Sequence, residues 1–272
     1  MRRYVRRRFI SGMIILWGLL LAFSGMGVAP CFAAHRPSFA LNENCCFWMV
    51  SVEAGQTVSF SRRLEAGTRY RLFVMSDSYS TELSVSVIDP LGTAIARSDN
   101  SPRETLLRFT PSATGTYLLR LTVNKARGAT RCSALLLPEQ GDWKTAHFHW
   151  SDALKQIQQL FALLEERGLS VELPSHGVCM VGGFVPVGRA VEFGSLTLDS
   201  ANYLWAAVGD SRVRSLQMTL QRDDRDASKG GGRGKPLALC AATQTGTYTP
   251  SVTLWDADAE VFVIVAILKL NR

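Results

Sequence analysis

Two histidines in the middle of the chain have the residue type and spacing of metal ligands. His147 and His149 stand two positions apart, and in an extended strand that spacing places both imidazoles on one face, where they could bind a transition metal. Stable sites use at least three protein ligands, and no third ligand stands nearby in the sequence. Trp143 and Trp150 flank the pair, which favours a partly buried aromatic connecting segment and leaves metal binding as the alternative.

A serine that follows a predicted strand is the second candidate for chemistry. The motif Val-Gly-Asp-Ser ending at Ser211 is similar to the nucleophile block of GDSL-type esterases. Such a serine needs a histidine base and an acidic partner late in the chain, whereas the last histidine here is His176, upstream of the serine. We therefore predict no catalytic residue and no cofactor. A secreted hydrolase that uses Ser211, or a metal at His147 and His149, is the alternative.

The chain contains two diverged copies of one unit, which must position these residues. Residues 55–60 match residues 188–193, Cys46 matches Cys179, and Thr-Gly-Thr-Tyr at 114–117 recurs unchanged at 245–248. The offset is 133 residues at the start and 131 at the end, so the copies differ by only two residues in length. The serine block lies inside this unit, opposite Ser76-Asp77-Ser78, which favours a structural role for it.

Short strands with period-two alternation predict the fold of each copy. Residues 83–88 alternate cleanly, and the turn Asp89-Pro90-Leu91-Gly92 follows them. We predict an all-β dominated fold of two tandem antiparallel jelly-roll-like β-sandwiches at residues 47–138 and 177–272. Tyr70 and Tyr117 should bury their rings and hydrogen-bond to backbone. The apolar residues 261–270 should form a central or covered strand.

The segments outside the copies have different patterns. We predict that residues 35–46 are a polar N-terminal lead-in segment without periodicity. Residues 139–176 are predicted to be a linker that contains one amphipathic helix. Ser151 is the expected N-cap and Gly168 the expected end of this helix. Its predicted apolar stripe is Ala153, Leu154, Ile157, Leu160, Phe161 and Leu164. In the second copy, residues 223–234 have the composition of a mobile charged loop.

Several of these segments resemble the bacterial pre-peptidase C-terminal domain. The resemblance rests on Glu-Ala-Gly-Gln-Thr-Val-Ser-Phe at 53–60, Val-Ile-Asp-Pro-Leu-Gly at 87–92 and Ala-Thr-Gly-Thr-Tyr-Leu-Leu-Arg at 113–120. It covers most of residues 47–138 and, more faintly, 177–272. It implies a small β-sandwich with a non-catalytic role in secretion, stability or substrate attachment. The alternating aspartates of the family's central strand are replaced by Glu82-Leu83-Ser84-Val85-Ser86, so calcium binding is not expected.

The first 34 residues have the pattern of an export signal. They contain five arginines and no acid, then an apolar run at 13–23 and small residues at Ala33 and Ala34. The motif Arg-Arg-Arg-Phe at 6–9 also fits twin-arginine export, so that route, the general secretory route and retention as an uncleaved anchor all stay open. We expect a periplasmic or extracellular protein with no stable membrane span once the signal is removed.

The net charge of +7 is mostly this signal. Of 30 basic residues, five lie in the signal, and the remaining 25 nearly balance 23 acidic residues. A near-neutral mature chain excludes a protein that binds nucleic acid through a basic surface.

Export predicts disulfides. After Cys31 is removed with the signal, the cysteines are Cys45, Cys46, Cys132, Cys179 and Cys240. They allow two bonds in several arrangements. The favoured one joins Cys45 or Cys46 to Cys132 within the first copy and Cys179 to Cys240 within the second. The sequence thus predicts a non-catalytic, exported binding or accessory protein whose partner is an envelope or extracellular protein or a glycan.

Overall fold

A computed structural model describes residues 38–140, 143–198 and 202–271. The predicted signal peptide lies outside the described residues. The elements are β1 (Ser38–Ala40), β2 (Phe47–Val52), β3 (Thr57–Leu64), β4 (Tyr70–Ser76), β5 (Glu82–Ile88), β6 (Ala94–Pro102), β7 (Glu104–Phe109), β8 (Gly115–Lys125), β9 (Thr130–Pro138), α1 (Trp143–Glu166), β10 (Val171–Glu172), β11 (Gly177–Val185), β12 (Ala190–Glu192), β13 (Leu196–Leu198), β14 (Tyr203–Gly209), β15 (Ser215–Arg222), β16 (Arg225–Gly231), β17 (Leu237–Ala242), β18 (Gly246–Asp256) and β19 (Val261–Leu270). The predicted all-β class with one helix is confirmed. Among the described residues, no helix is both long and apolar enough to cross a membrane.

Each copy has the strand order of a jelly roll. In the first copy, one sheet runs β2-β9-β4-β7 and the facing sheet runs β3-β8-β5-β6, with β1 added beside β3. In the second copy the equivalent sheets run β11-β19-β14-β17 and β18-β15-β16, with β12 and β13 both beside β18 in the place of β3. Both copies therefore take their eight strands in the same order, as two Greek keys do.

The two copies share one sheet. The first strands of the copies, β2 and β11, pair antiparallel and join the two four-stranded sheets into a nine-stranded sheet that includes β10. Trp48 pairs with Val181, the residue 133 positions later, so a local pseudo-twofold axis passes through this pair. Pairing the two edges satisfies backbone groups that two separate sandwiches would expose.

The core lies between the shared sheet and the two outer sheets. Inward-facing side chains of both copies form one continuous apolar cluster, which includes Trp48, Phe60, Trp205 and Leu254. The predicted position of the last strand is confirmed, because β19 lies between β14 and β11. Its residues 261–268 are all buried, since one face meets the core and the other meets the helix.

The tyrosine prediction is confirmed in both copies. The Tyr117 hydroxyl donates to the Ala113 carbonyl at 2.8 Å, and Tyr248 donates to the Gln244 carbonyl at 2.8 Å. Both rings are buried. Tyr70 is also buried, and its hydroxyl accepts a hydrogen bond from the Glu65 N–H at 3.2 Å. Each tyrosine thus holds a turn against the core.

The helix packs its predicted apolar stripe on the outer face of the shared sheet. Ala153, Ile157, Leu160 and Leu164 are buried in a second apolar cluster with residues of β14 and β19. Gly168, at φ 75°, ends the helix, and the N–H of Leu169 donates to the Leu164 carbonyl in a Schellman motif. The expected N-cap at Ser151 is wrong, because the helix begins eight residues earlier at Trp143.

The expectation of a loop at residues 223–234 is also wrong. Asp223 and Asp224, at φ 50° and 63°, form a two-residue turn between β15 and β16, and Arg222 pairs with Arg225 across it. Two central residues with positive φ give the twist that a tight hairpin needs, and aspartate tolerates that conformation. The charged segment is therefore mostly the edge strand β16, the counterpart of the polar edge strand β6.

Candidate functional site

The histidine pair lies on the helix, so the prediction that both imidazoles share one face of a strand is wrong. Residues two apart on a helix project about 200° from each other. His147 is exposed and packs edge-on to Trp150, with ring centroids 5.3 Å apart, whereas half-buried His149 lies 3.4 Å from Asp210. Within the described part of the chain, no group of three or more His, Cys, Asp or Glu could hold a metal ion.

Asp210 is the most enclosed carboxylate among the described residues of the second copy. Its side chain has no exposed surface, and it makes a bidentate ion pair with Arg212 at 3.0 and 2.7 Å. It also accepts the backbone N–H of Phe262 at 3.0 Å. Buried carboxylates need several donors of this kind to offset their desolvation. This arrangement ties the end of β14 to the start of β19.

The counterpart of Asp210 in the first copy makes the same backbone contact. The Asp77 carboxylate accepts the N–H of Arg131, the residue at the start of β9 that corresponds to Phe262, at 3.1 Å. A contact present in both copies belongs to the fold rather than to catalysis. The structure thus explains why the Gly-Asp-Ser block occurs at a strand end.

Ser211 is bound to an acid instead of a histidine. Its backbone N–H donates to Asp152 Oδ2 at 2.7 Å, and its hydroxyl bonds to the same carboxylate. Burial raises the pKa of Asp152, but these bonds from Ser211 and the charge of Lys155 outweigh burial and hold the pKa below its usual value. A carboxylate of lowered pKa is a weak general base. The contact instead fastens helix α1 to the turn after β14.

The predicted disulfides do not form. All five described cysteines are free, buried thiols. Cys179 in β11 and Cys240 in β17 are separated by β19 and β14, which is about 14 Å at the usual strand spacing and beyond the roughly 7 Å limit for a disulfide. The Cys46 carbonyl lies opposite Leu136, four residues along β9 from Cys132, and Cys45 precedes it. The pairing with Cys132 is therefore wrong as well.

Burial also makes these thiols unreactive. It raises the pKa of Cys46, Cys132 and Cys179 to about 12 and that of Cys45 to about 11. Burial likewise raises the pKa of Cys240. A nucleophilic or metal-binding cysteine must be a thiolate at neutral pH, so these side chains act as small apolar residues of the core.

An exposed aromatic side chain marks a different surface, at the end of the first copy. Tyr79, in the turn between β4 and β5, is 81% exposed. The guanidinium of Arg103, from the turn between β6 and β7, lies 3.7 Å from the centre of its ring. A cation over one face of an aromatic ring stabilises the ring's position. Most of the ring nevertheless stays open to solvent.

Hydroxyl and amide groups stand on the turns and strand ends at the same end of the first copy. Ser78 and Ser80 flank Tyr79 and join their hydroxyls at 3.0 Å. Asn124, at the end of β8, donates from Nδ2 to Ser84 Oγ at 2.7 Å and to Asn100 Oδ1 at 2.8 Å. We call the group Ser78, Tyr79, Ser80, Asn100, Arg103 and Asn124 the Tyr79 surface. It combines one amphipathic ring with many adaptable hydrogen-bonding groups, as antibody paratopes do.

The turn that carries Arg103 is locally strained. Asn100 and Arg103 both have φ 52°, a conformation that costs a non-glycine residue free energy. Within the described part of the chain, Thr81 Oγ1 and Arg103 Nε are buried without a hydrogen-bond partner. Such costs persist mainly where a loop is held for a purpose. This surface is therefore our candidate functional site.

Sequence reasoning missed this surface. One signal was available, because the counterpart of Tyr79 in the second copy is Arg212, so the two copies differ at this turn while their strands agree. The exposure of the ring and the approach of Arg103 depend on two turns that are far apart in sequence. Neither could be inferred from local pattern.

Comparisons with known proteins give no family. No protein-family model matches the chain, and no curated protein matches it. The resemblance to the pre-peptidase C-terminal domain therefore stays a prediction. Among solved structures, the chain is similar to PliG, a periplasmic lysozyme inhibitor of g-type lysozyme from Aeromonas hydrophila, with 16% identity and a TM-score of 0.28 over 38% of this chain and 99% of that one.

Two further similar structures cover more of the chain. The PBSX exported protein XepA has 10% identity and a TM-score of 0.26 over 80% of this chain and 83% of that one. The CBM22-1-CBM22-2 tandem domain of Paenibacillus barcinonensis Xyn10C has 11% identity and a TM-score of 0.20 over 78% of this chain and 82% of that one. At these values the comparisons carry no argument about function, and the candidate site has to be judged on its own geometry.

Proposed function

We propose that this protein is a non-catalytic, exported binding protein that binds carbohydrate chains of the cell envelope or extracellular space on the Tyr79 surface. The observation that carries the proposal is the ring of Tyr79, 81% exposed and backed by the Arg103 guanidinium at 3.7 Å. A sugar ring presents C–H groups on its face and hydroxyls on its rim. The C–H face packs on an aromatic ring, and the hydroxyls pair with neighbouring polar side chains.

The composition of the surface favours a sugar over a protein partner. A stable protein interface buries about 800 Å² on each side around an apolar, well-packed centre. The Tyr79 surface has a single ring among serines, asparagines and one arginine. Its neighbours Asp77, Asp99 and Glu82 are already within reach of Arg131, Arg97 and Lys125. These pairings neutralise the acids nearest the ring, which suits a neutral ligand.

Both groups of the candidate esterase block have structural partners, which favours a binding role over a hydrolase that uses Ser211. The fold uses Asp210, and Ser211 is bound to Asp152. Export remains part of the proposal, because the arginine-rich, apolar segment at residues 1–34 lies outside the described residues. Five buried free thiols are unusual in an oxidising compartment, although their enclosure protects them from pairing.

The test is binding of the purified full chain to an array of several hundred bacterial and plant glycans, followed by titration of the best hit. Tyr79→Ala should weaken that binding at least tenfold, which corresponds to the loss of one ring contact of about 1.4 kcal/mol. Leu91→Ala is the matched control, because Leu91 is 90% exposed in a turn at the other end of the same copy. Retention of no glycan, or equal binding by wild type and Tyr79→Ala, would overturn the proposal.

A further inference from the structure

The second copy has an exposed aromatic residue at the position of Asn124 in the Tyr79 surface. Trp255 follows Asn124 by 131 residues, the offset of the repeat in this region, and is 43% exposed. Both residues stand at a β-bulge. The β5–β8 ladder passes from Glu82↔Lys125 to Leu83↔Val123, and the β15–β18 ladder passes from Ser215↔Asp256 to Leu216↔Leu254. A bulged residue leaves the alternation of its strand, so its side chain is re-aimed.

An arginine from the equivalent turn approaches this second ring. Arg233, in the turn between β16 and β17, lies with its guanidinium 5.9 Å from the centre of the Trp255 ring. In the first copy the corresponding turn, between β6 and β7, provides Arg103 for Tyr79. Both copies therefore bring an arginine from the same turn to an exposed ring at the same end of the jelly roll. Val187, 44% exposed, forms an isolated backbone β-bridge with Leu254, the residue before Trp255.

We propose that Trp255 and Arg233 form a second carbohydrate-binding site and that the protein is bivalent. This inference rests on the proposed function of the Tyr79 surface. The ligand class is the same, since an open ring face accepts the C–H face of a sugar and a guanidinium donates to its oxygens. The Trp255 ring is 43% exposed and the Tyr79 ring 81%, so the second site offers the smaller open ring surface and should bind no more tightly than the first.

The pairing of the two copies sets the direction of the sites. The turn that contains Tyr79 follows β4 at the end where β2 finishes, and Trp255 lies at the end where β11 finishes. Because β2 and β11 are antiparallel, these two ends lie on opposite sides of the shared sheet along the strand direction. Strand rise and strand spacing put the two sites on the order of 30 Å from each other. Two sites so placed bind two separate chains, or two distant points of one chain, and gain avidity on a polymer.

The test uses the shortest oligosaccharide that reproduces binding of the best array glycan. Calorimetric titration of the full chain should give two molecules bound per protein. Trp255→Ala and Tyr79→Ala should each give one, and the double variant none. Beads coated with the same oligosaccharide should agglutinate with wild type and not with either single variant, since each retains one site.

Phe148→Ala is the control, because Phe148 is an aromatic residue, 63% exposed, outside both sites. Arg233→Gln is a second variant that keeps the tryptophan and should weaken binding at the second site alone. One molecule bound to wild type, lost in Tyr79→Ala and unchanged in Trp255→Ala, would overturn bivalence and leave the proposed function intact. Two bound molecules that neither variant affects would overturn both.

Discussion

Replacing the buried aspartate of the second copy should cost far more stability than replacing its counterpart in the first. In Asp210→Ala, the N–H of Phe262 loses its carboxylate acceptor in a buried site, which costs about 1–3 kcal/mol. Arg212 loses both of its bonds to the carboxylate, but its side chain is 29% exposed and regains part of this loss from water. The sum is about 3 kcal/mol, at the lower end of the range for breaking a buried ion pair.

Asp77→Ala is the matched substitution. The Asp77 carboxylate is 47% exposed, and Arg131 is 3.9 Å away, so we expect a loss of only about 0.5–1 kcal/mol. Urea unfolding followed by fluorescence of buried Trp48 and Trp205 measures both variants. With a slope of about 3 kcal/mol per molar urea for a chain of this size, the midpoint should fall by about 1 M for Asp210→Ala and about 0.2–0.3 M for Asp77→Ala.

Equal shifts for the two variants would refute this reasoning. They would mean that the backbone contact shared by both copies accounts for the whole effect, and that the enclosure of Asp210 and its pairing with Arg212 add nothing. Asp210→Asn separates the contribution of the backbone contact from that of the ion pair with Arg212. It keeps an acceptor for the Phe262 N–H and removes the charge, so it should fall between wild type and Asp210→Ala.

Three further predictions follow from burial and close packing. None of the five thiols should react with a disulfide reagent at pH 8 in the folded protein, and all five should react after unfolding. A chain with two disulfides would instead show one reactive thiol after unfolding. Because burial raises the pKa of Cys45, Cys46, Cys132 and Cys179 from 9.0 to about 11 or 12, the stabilising effect of these four protonated thiols is complete below pH 9, and the free energy of unfolding should fall as pH rises above it. Gly183→Ala should destabilise the protein by several kcal/mol, because a Cβ there collides with the Asn44 carbonyl, whereas Gly128→Ala, in open space, should change the urea midpoint little.

The helix shows how the two copies came to differ. It lies on the face of the second copy that contains Leu204, Ala206 and Val208. The counterparts of these residues in the first copy are Arg71, Phe73 and Met75. Covering that face with a helix would bury Arg71, which pairs with Glu139 at 2.9 Å. The cost of burying this charged pair explains why the helix packs on the second copy and not on the equivalent face of the first.

Sequence alone determined the features that depend on neighbours along the chain. Period-two alternation placed the strands, the repeated Thr-Gly-Thr-Tyr motif placed the buried tyrosines, and an apolar stripe ending at Gly168 placed the helix. These patterns act through backbone geometry and local burial, so they can be read without knowing the fold. They also showed that the serine block is a repeated structural element.

Tertiary structure decided which distant residues meet. The pairing of β2 with β11 fused two predicted sandwiches into one sheet, and the same register placed the cysteines too far apart to bond. The approach of Arg103 to Tyr79, and of Arg233 to Trp255, depends on turns that only the completed jelly roll brings together. Strand order and register are collective properties of the whole chain, which is why no local pattern encoded either surface.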